Sequence, residues 1–359
     1  MRGYVVTSEL TPRSNTKLYG HEEIEEILLH DLRDGRLAHG IILSGPRGIG
    51  KATLAYRFAR TLLSGRNDME LPDNDQVFHR IVADSHSDLL VIELLYDPKK
   101  DEYANEISIE QSRTIAQALS LTPGEGQWRV VIIDSADALN VKSANAILKI
   151  LEEPPPQTVI MLIAHNVGQL LPTIRSRCRI VSLKPLSRSN FEMVLYHTAP
   201  EITGEELAAL GVISGFSPGI AMGLKEQGAL ELYNEILDLF ASARKIDSQH
   251  LLRFCEQIGS GKKAHANWQL FSHIVLCILE RITKKSSKAA VTLINREEAG
   301  RLEKLATMHS PDIWARKWQE ALGKFLLAQR LHLDYKQVAL TFFHSLASAE
   351  EFTLGNIAA

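Results

Sequence analysis

Apolar positions divide this chain by their period. In its first half, short runs rich in Val and Ile alternate with stretches of helical period. Residues 39–43 (HGIIL), 88–94 (DLLVIEL), 129–134 (RVVIID), 158–164 (TVIMLIA) and 179–183 (RIVSL) are compact apolar segments. Runs this short, without regular polar alternation, predict strands buried on both faces of a parallel sheet. Between them, residues 52–63, 108–119 and 141–152 predict helices. In the first of these, Leu54, Phe58 and Leu62 fall at i, i+4 and i+8 and form one apolar face. Pro154, Pro155 and Pro156 end the third, because proline lacks an amide hydrogen and clashes with the preceding turn. Strand, helix and strand repeated in this way predict an α/β fold: a parallel sheet with right-handed crossovers.

Beyond Leu183 the strand signal fades. Residues 186–245 read as helices interrupted at Gly215-Phe216-Ser217-Pro218-Gly219. Residues 246–344 carry further helical periods, such as 270–282 and 324–335, with breaks near Gly259, Gly261, Ser310 and Pro311. Leu276 and Leu279 lie in a stretch that is apolar on more than one side, which predicts burial against other helices of the chain or against other chains. Residues 64–75 are polar and bracketed by Gly and Pro, the pattern of a loop, and residues 347–359 read as a loose tail.

Composition narrows this picture only a little. A length of 359 residues suits two or three domains, and 45% apolar with 23% charged residues is globular. No run of 18 apolar residues predicts a membrane span, and the opening residues lack the apolar core of a signal peptide, so a cytoplasmic protein is expected. Cysteines stand only at 178, 255 and 277, without CxxC spacing, which fits a reducing interior. His79 and His86 alone do not make a ligand set, so no zinc or other metal site is expected. Net charge is −3, with 15 basic against 11 acidic residues in 246–359 and a surplus of seven acids before them. Neither part is an electrostatic magnet for nucleic acid on its own.

The strongest chemical signal is Gly45-Pro46-Arg47-Gly48-Ile49-Gly50-Lys51-Ala52-Thr53, a GxxxxGK loop after a predicted strand and before a predicted helix. Glycines let backbone N–H groups converge on phosphate oxygens, the helix start adds its positive end, and lysine reaches the outer phosphates. Position 52 should carry the hydroxyl that holds Mg²⁺, and it carries Ala. Thr53 comes one residue late, about 100° round the helix. Asp134, ending an apolar strand, is the natural carboxylate on the Mg²⁺ side. Ser135 stands where a glutamate would orient the attacking water, and a serine does no base chemistry at neutral pH. Asp137 is expected to cap the next helix.

Together these elements resemble the clamp-loader branch of the AAA+ family. The likeness is carried by Arg36-Leu37-Ala38-His39-Gly40 running into the P-loop, by SANAILKILEEPP at 143–155, and by Leu171-Pro172-Thr173-Ile174-Arg175-Ser176-Arg177-Cys178. It implies an AAA+ P-loop domain over 1–185, a helical lid over 186–245 and an all-α collar for oligomerisation over 246–359. It implies that Arg177, in a Ser-Arg-Cys motif, is an arginine finger offered in trans; the alternative is a surface arginine in a weak ion pair. If a strand begins here, alternation sends Cys178 into the core and turns Arg177 and Arg179 outward. Asn166 matches the position of a polar sensor near the γ-phosphate, with an ordinary loop asparagine as the alternative. The lid of ATP-hydrolysing members begins with a sensor arginine; here Gly219 takes that place.

Three losses in one site imply a non-hydrolysing clamp-loader subunit, with ATP possible at a degenerate site; the alternative is an active gamma/tau-like motor. Implied partners are gamma/tau and delta subunits in a pentameric ring, and through that complex the sliding clamp and primed DNA, without a membrane. Arg113, Lys142 and Lys149 are candidates for DNA contact, on helices that the resemblance sets against the duplex backbone.

Overall fold

A computed structural model describes residues 11–70, 72, 75–97, 102–124, 128–243, 247–261, 263–346 and 352. The first part of the chain runs α1 (Glu22–Arg33), β1 (Gly40–Ser44), α2 (Lys51–Leu63), α3 (Gln76–Val82), β2 (Leu89–Ile92), β3 (Tyr96–Asp97) and β4 (Glu102–Tyr103). It continues with α4 (Ile109–Ser120), β5 (Arg129–Asp134), α5 (Val141–Glu152), β6 (Thr158–Ala164), α6 (Pro172–Arg175), β7 (Arg179–Ser182) and α7 (Arg188–Thr198). The remainder is helical: α8 (Gly204–Ile213), α9 (Pro218–Glu226), α10 (Ala229–Ala241), α11 (Ser248–Gly259), α12 (Ala264–Ser286), α13 (Arg296–Ala306), α14 (Pro311–Leu331) and α15 (Tyr335–Leu346).

The five apolar runs become one parallel sheet in the order β2-β5-β6-β1-β7. Strand alternation sends Ile41 and Leu43 to one face, against Leu28 of α1 and Leu54, Phe58 and Leu62 of α2. It sends Ile42, Val131 and Ile160 to the other, against Ile115 of α4 and Ile147 and Leu151 of α5. Both faces are therefore covered by helices, the arrangement that unalternated apolar strands require.

Several details differ from the sequence expectations. Asp137 does not cap α5: the chain first makes a 3-10 turn over Ala136–Ala138, and Asn140 caps the helix by accepting from Ser143 N–H. The period over 324–335 does not continue as one helix, because His332 turns left-handed (φ 52°) and ends α14 before α15 begins. Helices α1 and α3 and the small antiparallel pair β3–β4 are additional to the expected elements. Of the loose tail expected over 347–359, all but Phe352 lie outside the described residues.

By compactness the chain falls into two units, one of Arg2–Glu201 with Phe216–Ile220, the other of Ile202–Gly215 with Ala221–Ala359. The second unit has an aromatic core in which Trp268 stacks on Tyr335 at 4.8 Å and meets Phe325 edge-on at 5.1 Å. Leu279 is fully buried there and Leu276 partly, so the intrachain alternative holds for Leu279. Large apolar side chains are exposed instead on α14, at Leu326, Leu327 and Leu331. Among the described residues no single helix is long and apolar enough to cross a membrane.

Candidate functional site

The loop after β1 turns on glycines that admit no side chain. Gly45 (φ 144°) has Leu183 O at 2.3 Å from where a Cβ would stand, and Gly48 (φ 73°) has Ser217 Oγ at 2.5 Å. Gly50 ends the loop, and α2 starts at Lys51 with no side chain capping it. That leaves first-turn N–H groups facing the loop, the arrangement that attracts anions. Lys51 is 3% exposed, and its Nζ donates to Gly45 O at 2.7 Å and Pro46 O at 2.5 Å. Burial pulls its pKa down to about 8, opposed by Asp134 and Asp137 and assisted by Arg47. Ala52 offers only a methyl group, and Thr53 is buried.

Asp134 ends β5 partly buried; desolvation and then Glu93 push its carboxyl above the usual range, while Ser135 N–H, Lys51 and Arg47 pull it back. Ser135 is left-handed (φ 64°), an uncommon conformation for a residue with a Cβ. Two further polar groups join this corner. Asp137 Oδ1 and His165 Nδ1 are both buried without a hydrogen-bond partner among the described residues. Burial, then Lys51, lowers the His165 pKa to about 4 against Asp137, so the imidazole is neutral at pH 7. His165 was not among the sequence candidates, although it directly follows the apolar run of β6. Polar residues at the carboxyl ends of parallel strands line the crevice where open α/β sheets take ligands. Asn166, one residue on, is exposed, and its Oδ1 caps the turn over Val167–Gln169 by accepting from Gly168 N–H at 2.9 Å.

A later segment closes on the loop. Gly215 and Phe216 are both left-handed, and they turn Ser217–Gly219 onto the P-loop backbone. Ser217 Oγ donates to Arg47 O at 2.7 Å, and Gly219 N–H to Gly48 O at 3.0 Å. A Cβ at Gly219 would stand 2.9 Å from Gly48 Cα. No arginine fits at 219 in this geometry. The loop and its lysine thus have the form of a phosphate cradle, while Ala52 brings no hydroxyl, Ser135 no carboxylate and Gly219 no guanidinium.

The second place is the other edge of the sheet. Register pairs Ile41 with Arg179, so Arg177 lies level with His39, before β1 rather than after it. Arg177 Nη2 pairs with Glu152 Oε1 at 2.6 Å, while Nη1 donates to Thr173 O at 3.0 Å and Ser176 Oγ at 3.2 Å. His39, Leu151, Glu152, Ser176 and Arg177 line an open cavity of about 470 Å³. The strand begins at Arg179, one residue later than alternation from Cys178 assumes, and Cys178 is half-buried. Burial raises its thiol pKa to about 11, so it is no nucleophile. Arg179 is exposed and pairs with Asp31.

Arg113 on α4 and Lys142 and Lys149 on α5 are exposed on helices that cover the same sheet face. His79 packs its ring against Phe78, and His86 is buried and accepts from Asp88 N–H. Among the described residues no group of three or more His, Cys, Asp or Glu stands ready for a metal ion.

A five-stranded parallel sheet with a P-loop after β1 and an acid ending β5 defines a P-loop protein of the AAA+ type. A family profile described as "DNA polymerase III, delta subunit" matches residues 20–187. DNA polymerase III subunit delta' of Pseudomonas aeruginosa is 34% identical over 203 residues, 56% of this chain and 60% of that one. DNA polymerase III subunit gamma of Buchnera aphidicola is 27% identical over 79% of this chain and 75% of its own length. Among solved structures, a DNA polymerase III gamma subunit-related protein from Thermotoga maritima aligns with 92% of this chain and 95% of its own at 23% identity, with a TM-score of 0.36. The likeness to the DNA polymerase III clamp-loader subunits is carried chiefly by residues 20–187. The match spans less than two thirds of the delta' relative's length.

Proposed function

We propose that this chain is a delta'-type subunit of a bacterial DNA polymerase III clamp loader. It does not hydrolyse ATP itself, and it lends Arg177 to the ATP site of a neighbouring subunit while the complex loads the sliding clamp onto primed DNA in the cytoplasm. One observation carries the reading: Arg177 and the chain's own P-loop lie at opposite ends of β1. Six residues of extended chain from His39 to Gly45 span about 20 Å, beyond the reach of one arginine side chain. A guanidinium meant for phosphate at that edge serves another chain. In phosphoryl transfer, negative charge spreads over the γ-phosphate oxygens, and a planar two-pronged donor stabilises it.

The packing of Gly219 on Gly48 supports the silent half of the proposal, and it disfavours the motor reading that the gamma relatives suggest. ATP binding without turnover is compatible with the loop and Lys51. The neighbours would be gamma/tau and delta subunits in a pentameric ring. Residues 186–245 would act as the lid and 246–359 as the collar, where exposed Leu326, Leu327 and Leu331 of α14 suit helix packing between subunits. Arg113, Lys142 and Lys149 would contribute weak contacts to the DNA backbone, shared with the rest of the ring.

Two ATPase assays test the reading. The isolated chain is expected to show essentially no turnover, and a rate near ~1 per second, ordinary for an enzyme, would defeat it. In the reconstituted complex, Arg177→Ala is expected to remove part of the DNA-stimulated rate, because the other sites keep their own arginines.

A further inference from the structure

The Arg177 guanidinium is held by its own chain on one side and left open on the other. Glu152 takes Nη2, and Thr173 O and Ser176 Oγ take Nη1. Among the described residues Nε–H meets no acceptor. Arginine has five N–H donors; the two hydrogen bonds from Nη1 leave Nε–H and the Nη2 hydrogens without a directed acceptor among the described residues, Glu152 meeting Nη2 as an ion pair.

Both members of the pair are firmly mounted. Arg177 N–H donates to the carbonyl of fully buried Ile174 at 3.1 Å, and a Cβ on Gly40 would stand 2.8 Å from Cys178 Sγ and 3.4 Å from Arg177 O. Glu152 is the last residue of α5, next to buried Leu151, whose carbonyl accepts from His39 Nε2 at 2.8 Å.

Helix stability does not account for Glu152. A carboxylate in the last turn faces the negative end of the helix dipole, where a lysine or arginine would be favoured. The pair is also 35% and 48% exposed at its two side chains, a setting in which ion pairs add little to folding. What the carboxylate does achieve is geometric: it fixes one rotamer of a long side chain at the mouth of the 470 Å³ cavity.

We propose that Glu152 is a positioning residue for Arg177, holding the guanidinium so that its unused donors face an incoming phosphate group. This rests on the reading of Arg177 as the group given to a neighbour's ATP. An arginine already held loses less rotamer freedom when phosphate arrives than one that is free. Its charge is not diminished, because arginine stays protonated. A carboxylate near phosphate also repels it, and that repulsion defines the rival result.

The test uses the reconstituted clamp loader, with the Arg177→Ala complex as the floor. Glu152→Gln is expected to lower kcat at the affected interface by up to about fivefold, the scale of an exposed pair. KM for ATP should change little, because the contact matures in the transition state. Glu152→Asp, with the charge kept and the reach shortened, should restore part of the rate. In the Arg177→Ala complex, Glu152→Gln should change nothing further, and the melting temperature of the isolated chain should not move. An unchanged or faster kcat with Glu152→Gln, or a further fall in the Arg177→Ala background, overturns the proposal. If Arg177→Ala slows the complex and Glu152→Gln does not, only the positioning role is lost. If Arg177→Ala has no effect, the reading of Arg177 fails and takes this one with it.

Discussion

Around Lys51 the chain folds its polar groups onto itself, whereas around Arg177 it presents them outward. Lys51 is 3% exposed and bonded to two carbonyls of its own loop, and Gly219 presses its backbone onto Gly48. Arg177 keeps about a third of its side-chain surface, beside an open cavity. Both places sit on β1, one at each end, so a single strand separates a closed phosphate loop from an open guanidinium. The difference teaches that a loop with Ala at 52 and Gly at 219 need not be a loose one. Contacts within the chain fill the loop, and the arginine proposed to serve another chain's ATP stays partly accessible.

The comparison breaks most visibly at Arg177. Arg177→Ala should reduce turnover at the one affected interface toward the roughly 10³–10⁵-fold scale of arginine fingers. Arg177→Lys should not restore it, since a point charge does not copy the planar fork. Single-turnover ATP hydrolysis by the complex reads this directly, and full activity of the Lys variant would reduce the site to simple charge.

Lys51 gives the next largest effect, through pH. Its pKa of about 8 in the folded chain lies below the ordinary 10.5. Below pH 8 both folded and unfolded chains hold the proton, and the cost of burying the charge is fully felt. Between pH 8 and 10.5 the unfolded chain still binds a proton that the folded chain has released, so stability rises with pH. Lys51→Met lacks this rise. The stability difference between the two proteins should shift by on the order of 3 kcal/mol in favour of the parent from pH 7 to 10.5, at 1.36 kcal/mol per unit. Denaturant unfolding across that range measures it, and a constant difference would mean that Lys51 is not desolvated.

The sheet was largely legible from sequence because its signal is local: four of the five apolar runs contain a whole strand, and the fifth contains all of β1 but Ser44. The closed loop was legible only by its losses. Ala52 and Ser135 declare missing groups by themselves, but nothing in Gly219 announces that it lies against Gly48, since that contact joins positions 171 residues apart. His165 and Asp137 were hidden for a related reason. A polar residue just past a strand has many uses, and only the third dimension sets both beside Lys51. The Glu152–Arg177 pair likewise depends on register between the end of α5 and the start of β7.

A smaller effect is expected from Gly219→Ala. Its Cβ would meet Gly48 Cα at 2.9 Å and Gly48 O at 3.3 Å, both backbone atoms that yield only by moving the loop. Such overpacking costs about 1–3 kcal/mol. Thermal unfolding of the isolated chain checks it, and an unchanged or raised melting temperature would show that the two segments separate freely.

The smallest expected change is in the double variant Ala52→Ser with Ser135→Glu, which restores two of the missing groups to the P-loop corner. The hydroxyl at 52 would stand at the start of α2 where Mg²⁺ ligation calls for it, and the carboxylate at 135 would follow Asp134. Ser135, however, is left-handed at φ 64°, a conformation that a longer side chain also adopts only at a cost. Gly219 still lies on Gly48, so no third group reaches the γ-phosphate. Groups that act as a unit give little when part of the unit is absent. The isolated double variant should therefore hydrolyse ATP no faster than the parent. A steady-state rate approaching ~1 per second would mean that the two substitutions alone silence this site, and that the closure by Ser217–Gly219 is incidental to it.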